Sequence, residues 1–162
     1  MADVLYAENT YYGLSRGTHR IVLIPPEALL PTEHFIEERV LLVAHEIISE
    51  GFWLEPIMVE RDSWVIMDGH HRREFARRHS LRVVPCVMLD YSQVELHSRQ
   101  AGVHVTAEDI IARGIQRRPY PPKTTRHVLS TRVEVECKYE LGGCSECGCR
   151  TAPGHALRSV GA

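Results

Sequence analysis

The run Arg20-Ile-Val-Leu-Ile24 is short, apolar and stopped by Pro25-Pro26, the pattern of a buried strand. Beyond Glu33, apolar residues recur at helical spacing at Ile36, Val40, Val43, Ile47 and Ile48, and Gly51 supplies the stop. Pro56 to Glu60 and Trp64 to Met67 flank Arg61-Asp-Ser63 as the two arms of a hairpin. Asp68-Gly-His-His-Arg72 then leads into a basic helix that runs to about His79, and Arg82 to Leu89 is rich in β-formers. Val94 to Ser98 reads as a short strand or loop. Residues 107 to 116 are predicted helical, with Thr106 as the N-cap. Pro119-Tyr-Pro-Pro122 makes a loop that introduces Lys123-Thr-Thr-Arg-His127, and Thr131 to Cys137 alternates as a strand. Strands and helices mix without regular βαβ alternation, so the expected class is α+β. The pattern divides into an irregular arm at 1–19, one domain at 20–136 and a Gly- and Cys-rich tail at 137–162 with no evident packing face.

Composition narrows the class. A chain of 162 residues with 44% hydrophobic and 25% charged residues is ordinary globular chemistry, which excludes collagen-like, low-complexity and wholly disordered chains. No apolar run approaches the roughly 20 residues that span a bilayer, and the N-terminus lacks a secretory core, so a cytoplasmic protein with no membrane partner is expected. A formal charge of −2 argues against a generic nucleic-acid coat, and nucleic acid is not an expected partner. Charge is unevenly placed, however: from Arg113 to Arg132 there are six Lys or Arg and no carboxylate, a stretch suited to a small anion.

Two segments could hold that anion. At Asp68-Gly-His-His-Arg72 a hydrophobic strand ends in a glycine that lets the backbone turn sharply and approach a ligand closely. The first N–H groups of the following helix lack intrahelical partners, and His70, His71 and Arg72 add side-chain donors. The competing reading is a plain strand-to-helix turn with solvated basic residues. In the second segment, Lys123, Thr124, Thr125, Arg126 and His127 can surround phosphate oxygens with charge-assisted bonds, against the plainer reading of a solvated basic loop. Among carboxylates, Glu37 and Glu38 fall on the exposed helix face. Glu33 stands at a helix entrance after Pro31-Thr32, where it is either a working carboxylate or a complement to the helix dipole.

Of five cysteines, Cys86 sits in an apolar strand-like run and reads as a buried free thiol. The other four, Cys137, Cys144, Cys147 and Cys149, crowd into thirteen residues. Four thiolates would satisfy a tetrahedral structural Zn²⁺, with His155 able to replace one; a reducible disulfide tail and an unstructured tail are the alternatives.

Leu23-Ile-Pro, Leu30-Pro-Thr-Glu-His-Phe, Asp68-Gly-His-His-Arg72 and Pro121-Pro-Lys-Thr-Thr-Arg-His127 together resemble the free serine kinases of the ParB/sulfiredoxin superfamily, over roughly residues 20 to 132. The resemblance implies a ParB/sulfiredoxin-like mixed sheet with flanking helices and phosphorylation of free L-serine to O-phospho-L-serine, with ATP or ADP as donor and Mg²⁺ as cofactor. It implies that Glu33 is the general base and contacts the substrate. Asp68, Gly69, His70, His71 and Arg72 match the nucleotide-phosphate turn, with Asp68 the candidate for magnesium. Lys123, Thr124, Thr125, Arg126 and His127 match a second phosphate-binding and substrate-side element. Arg39 falls near a recurrent arginine of the first helix. His97 stands where the family often has a tryptophan against serine, and the cysteine tail lies outside the family pattern. The turn holds no Cys, unlike sulfiredoxin itself. The alternative within the superfamily is a ParB-like nucleotide-binding, DNA-associated regulator without kinase activity.

Overall fold

The computed structural model describes residues 19, 21–130, 137 and 139–141. In chain order these form β1 (Ile21–Ile24), α1 (Glu37–Glu50), β2 (Phe52–Trp53), β3 (Ile57–Glu60), β4 (Ile66–Asp68), α2 (His70–Arg78), β5 (Val84–Leu89), β6 (Val94–Ser98), α3 (Ala107–Ile115), β7 (Thr125–Leu129) and β8 (Tyr139–Glu140). The principal sheet runs β1-β5-β3-β4, with β3 and β5 parallel and the outer pairs antiparallel. Two antiparallel ribbons, β6-β7 and β2-β8, complete the α+β arrangement.

The alternation of each central strand sends its side chains to two cores. On one face Ile57, Val59, Ile66, Val84 and Cys86 pack with Ile47 of α1, Phe75 of α2 and Trp53. On the other, Met67, Val87 and Leu89 meet Tyr91, Val94 and Leu129, which docks the β6-β7 ribbon on the sheet. α1 begins four residues later than Glu33; Ile36 is its N-cap, Val40 and Ile47 are buried, and Gly51 closes it in the left-handed conformation with its N–H on the Ile47 carbonyl. The β3-β4 hairpin is closed by the buried Glu60, whose carboxylate accepts the N–H groups of Asp62 at 3.1 Å and Ser63 at 2.7 Å. α3 carries the expected Thr106 cap, its hydroxyl accepting from Asp109 N. Gly114 lets α3 lie against the sheet edge, because a Cβ there would stand 2.5 Å from the Val65 side chain.

Two expectations change. Thr125-Arg-His-Val-Leu129 is a strand rather than part of a phosphate loop, with His97 opposite Arg126 and Ser98 opposite Thr125. Its polar residues hide a β-pattern that its partner strand stabilises. The folded unit also crosses the boundary expected at 136: Cys137 is buried, Leu141 packs on the main core, and β8 pairs with β2. The Thr131 to Cys137 strand and the N-terminal arm, apart from Cys137 and His19, lie outside the described residues. Among those described, no helix is long and apolar enough to cross a membrane.

Candidate active site

The turn from β4 into α2 is made possible by Gly69, at φ 105°, where a Cβ would press on the Ile57 side chain at 3.1 Å. Asp68 folds back to accept the Gly69 N–H at 2.8 Å. Arg72, one turn on, donates to the Asp68 carboxylate at 3.2 Å and to the carbonyls of Glu55 and Pro56, each at 2.8 Å. Its guanidinium therefore ties β4 and α2 to the start of β3.

Both histidines of the turn reach across to the segment that enters α1. His70 Nε2 accepts the N–H of Thr32 at 3.1 Å and of Glu33 at 3.2 Å. Accepting there requires the proton on Nδ1. Burial drives its pKa down to about 3, so the ring is neutral. His71 Nε2 accepts the Ile36 N–H at 3.1 Å, and burial lowers its pKa too, with Arg39 adding to the effect. The Thr32 hydroxyl donates to the Ile66 carbonyl at 2.8 Å. These rings do not aim Nε2–H donors at a phosphate, as the sequence suggests; through three backbone N–H groups they pin the 32–36 segment that carries Glu33 and His34.

Glu33 is held at its other end as well. Its backbone bridges to Tyr120, and the His34 N–H donates to the Tyr120 carbonyl at 2.9 Å. The side chain reaches the 123–125 segment, where Oε2 accepts from Lys123 N at 3.0 Å and Oε1 from Thr125 N at 2.6 Å and from the Thr125 hydroxyl. Lys123 makes this bond from the left-handed region, at φ 58°. A carboxylate offers about four acceptor positions, so three donors leave one, on Oε2.

Glu33 lines a cleft of about 170 Å³ with Asp68, His34, His70, His71, Arg39, Arg99, Lys123, Thr125 and Met67. Three Arg or Lys face two carboxylates there, an arrangement that favours an anionic ligand. Arg99 carries no signal in the sequence. The β6-β7 pairing brings it in, its N–H donating to the Thr124 carbonyl at 2.8 Å.

The 123–127 segment is divided by strand alternation. Thr125 is buried toward Glu33, whereas Arg126 is exposed and pairs in register with His97, away from the cleft lining. His97 itself meets Glu95 at 3.2 Å on that outer face. Thr124 is buried and donates to the Pro121 carbonyl at 2.8 Å. His127 Nε2 lies 3.2 Å from the Tyr91 hydroxyl, and burial lowers its pKa to about 4. Arg126, Thr124 and His97 are thus not brought to the cleft; His127, on the Thr125 face of β7, is not in its lining but lies close enough to feel the Asp68 charge and to act on His70.

Cys86 is a buried thiol, as expected, and burial raises its pKa. Cys137 is buried as well: its Sγ donates to the Trp53 carbonyl at 3.5 Å, and burial pushes its pKa up to about 11. Cys144, Cys147, Cys149 and His155 lie outside the described residues. Among the described residues no group of three or more His, Cys, Asp or Glu is arranged to hold a metal.

No family model matches the chain. A ParB-like protein from Sulfolobus acidocaldarius is 29% identical over 84 residues, covering 52% of this chain and 42% of that protein. An ATP-dependent L-serine kinase from Staphylothermus marinus is 34% identical over 74 residues, 43% of this chain and 29% of the kinase. Another from Desulfurococcus mucosus is 26% identical over 123 residues, 72% of this chain and 48% of the kinase. The matches span less than half the length of these curated relatives. A free serine kinase in complex with AMP superposes with a TM-score of 0.67 at 15% identity, over 75% of this chain and 92% of that one. A glutamate-to-alanine variant of a free serine kinase in complex with ADP gives a TM-score of 0.69 at 13% identity, over 82% and 96%. The chain has the α+β, ParB/sulfiredoxin-like fold of the free serine kinases, and its resemblance to that family holds in sequence as well as in structure.

Proposed function

We propose that this chain is a nucleotide-dependent kinase that transfers a phosphoryl group from ATP or ADP to the hydroxyl of free L-serine or a close analogue, giving O-phospho-L-serine. The observation that carries the reading is the Glu33 carboxylate, fixed by three donors with one acceptor position left, in a cleft that also presents Arg39, Arg99 and Lys123. Two L-serine kinases among the relatives and the nucleotide complexes of the superposed kinases support it.

A serine hydroxyl becomes a competent nucleophile as its proton leaves, and Glu33 accepts that proton through the remaining Oε2 position. General-base assistance of this kind contributes typically about 10²–10⁴-fold. Arg39, Arg99 and Lys123 hold the phosphates and offset charge on the transferring group, so catalysis rests on positioning and electrostatics. Asp68 fits a magnesium role: its side chain is 61% exposed and it lines the cleft. Magnesium keeps several waters and takes only one or two carboxylates besides substrate phosphates, so a single Asp suffices. When bound, that ion supplies neutralisation of phosphate charge. The activity belongs in the cytoplasm, where both substrates are abundant.

Incubation with L-serine, Mg²⁺ and either nucleotide tests the proposal. O-phosphoserine accumulating in proportion to protein is the expected result. Absence of product from folded protein that binds nucleotide would instead favour a regulator without kinase activity.

A further inference from the structure

We infer that Thr125 is a positioning residue for Glu33 and not a ligand of the donor's phosphates. The inference rests on the kinase reading above and assigns one of its residues a different task from the one its motif suggests.

Thr125 donates twice to the same oxygen, through its backbone N–H at 2.6 Å and through its hydroxyl. A hydroxyl has one proton to give, so while it is donated to Glu33 Oε1 it is unavailable to a phosphate oxygen. The residue is 7% exposed, so its side chain is enclosed against that carboxylate. Strand pairing fixes where those donors sit, because Thr125 opens β7 opposite Ser98. Lys123 completes the grip on Oε2 from a backbone turned to positive φ. At the other end, His70 fixes the Glu33 N–H. Backbone and side chain of Glu33 are therefore anchored to separate elements, and the bonds to Thr125 leave the open acceptor position on Oε2, the oxygen they do not use. A carboxylate free to rotate would present either oxygen to the acceptor in several orientations. Fixed as it is, it presents one, and a shift of about 1 Å in such a group can cost on the order of 10²-fold in rate.

The test uses Thr125→Val, which keeps the shape and the backbone N–H but deletes the hydroxyl, and Thr125→Ser, which retains it. In the full chain, Thr125→Val is expected to lower kcat by roughly ten- to a hundredfold while leaving the Kd for ADP, measured by calorimetry, and the nucleotide KM unchanged. Thr125→Ser is expected to restore most of the rate. Combined with Glu33→Gln, Thr125→Val should cost little more than Glu33→Gln alone, because the two act as one unit. Weaker ADP binding by Thr125→Val, or full additivity with Glu33→Gln, would overturn the inference and return Thr125 to the phosphates. If the wild-type protein does not phosphorylate serine, the kinase reading falls, while the ADP affinity of Thr125→Val still decides between the two tasks.

Discussion

Glu33 and His70 are each assigned a task by the partners that hold them. Glu33→Gln keeps the size of the side chain but abolishes its basicity, so kcat should fall by at least about 10²-fold with nucleotide affinity retained, as measured by steady-state kinetics and calorimetry. Near-wild-type turnover would remove Glu33 as the base. His70 leads to a prediction about pH. Its folded pKa is depressed to about 3 against an ordinary value of 6.5, so below pH 6.5 the unfolded chain binds a proton that the folded chain refuses. Stability is fully present above 6.5 and falls as pH drops toward 3. At pH 5 the loss from this residue is on the order of 2 kcal/mol. His127, lowered to about 4, adds in the same direction. Thermal unfolding at pH 7 and pH 5 checks this: His70→Gln should lose less stability on acidification than wild type, and an equal loss would contradict it. Glu33, Asp68 and Lys123, singled out in the sequence by the motifs they occupy, line one cleft in the fold. The task of His70 was not legible in the sequence, because its partners Thr32 and Glu33 are 38 and 37 positions away and a histidine next to Arg72 reads as a phosphate donor until its burial is known.

At the scale of elements, local patterning and its punctuation were reliable guides. β1, α1, the β3-β4 hairpin, α2 and α3 follow from apolar spacing with Pro25, Gly51, Gly69 and Thr106 as boundaries. β7 did not, because Thr125-Arg-His127 carries the charge and hydroxyls of a ligand loop; its strand character comes from pairing with β6, about thirty positions away. That pairing is also why Arg126 and His97 share an outer face while Thr125 faces Glu33, and why Arg99 enters the cleft unannounced. The turn at Gly69 makes a testable demand. Gly69→Ala combines positive φ with contact on Ile57, and should destabilise the protein by about 1–3 kcal/mol in urea unfolding. A change within a few tenths of a kcal/mol would show that the turn accommodates a side chain.

For the whole molecule, the sheet carries the site at the junction of three separate stretches of chain: the entrance to α1, the β4-α2 turn and the 123–125 segment. The ion pair between Arg78 and Glu37, backed by the buried Glu74, ties the end of α2 to the start of α1. The end of the fold is less local than composition suggests, since Cys137 and Leu141 belong to the core. Ending the chain after Glu136 should therefore lower the thermal midpoint by roughly 5 °C, and an unchanged midpoint would detach β8 from the folding unit.

The central claim is that the Glu33 cleft transfers phosphate to serine. Phosphorus-31 NMR of wild type and Glu33→Gln side by side, with Mg²⁺, L-serine and ATP or ADP, tests it most directly. The account predicts an O-phosphoserine signal that grows with wild type and is nearly absent with Glu33→Gln. Equal signals from the two proteins, or none from folded wild type with either nucleotide, would contradict it.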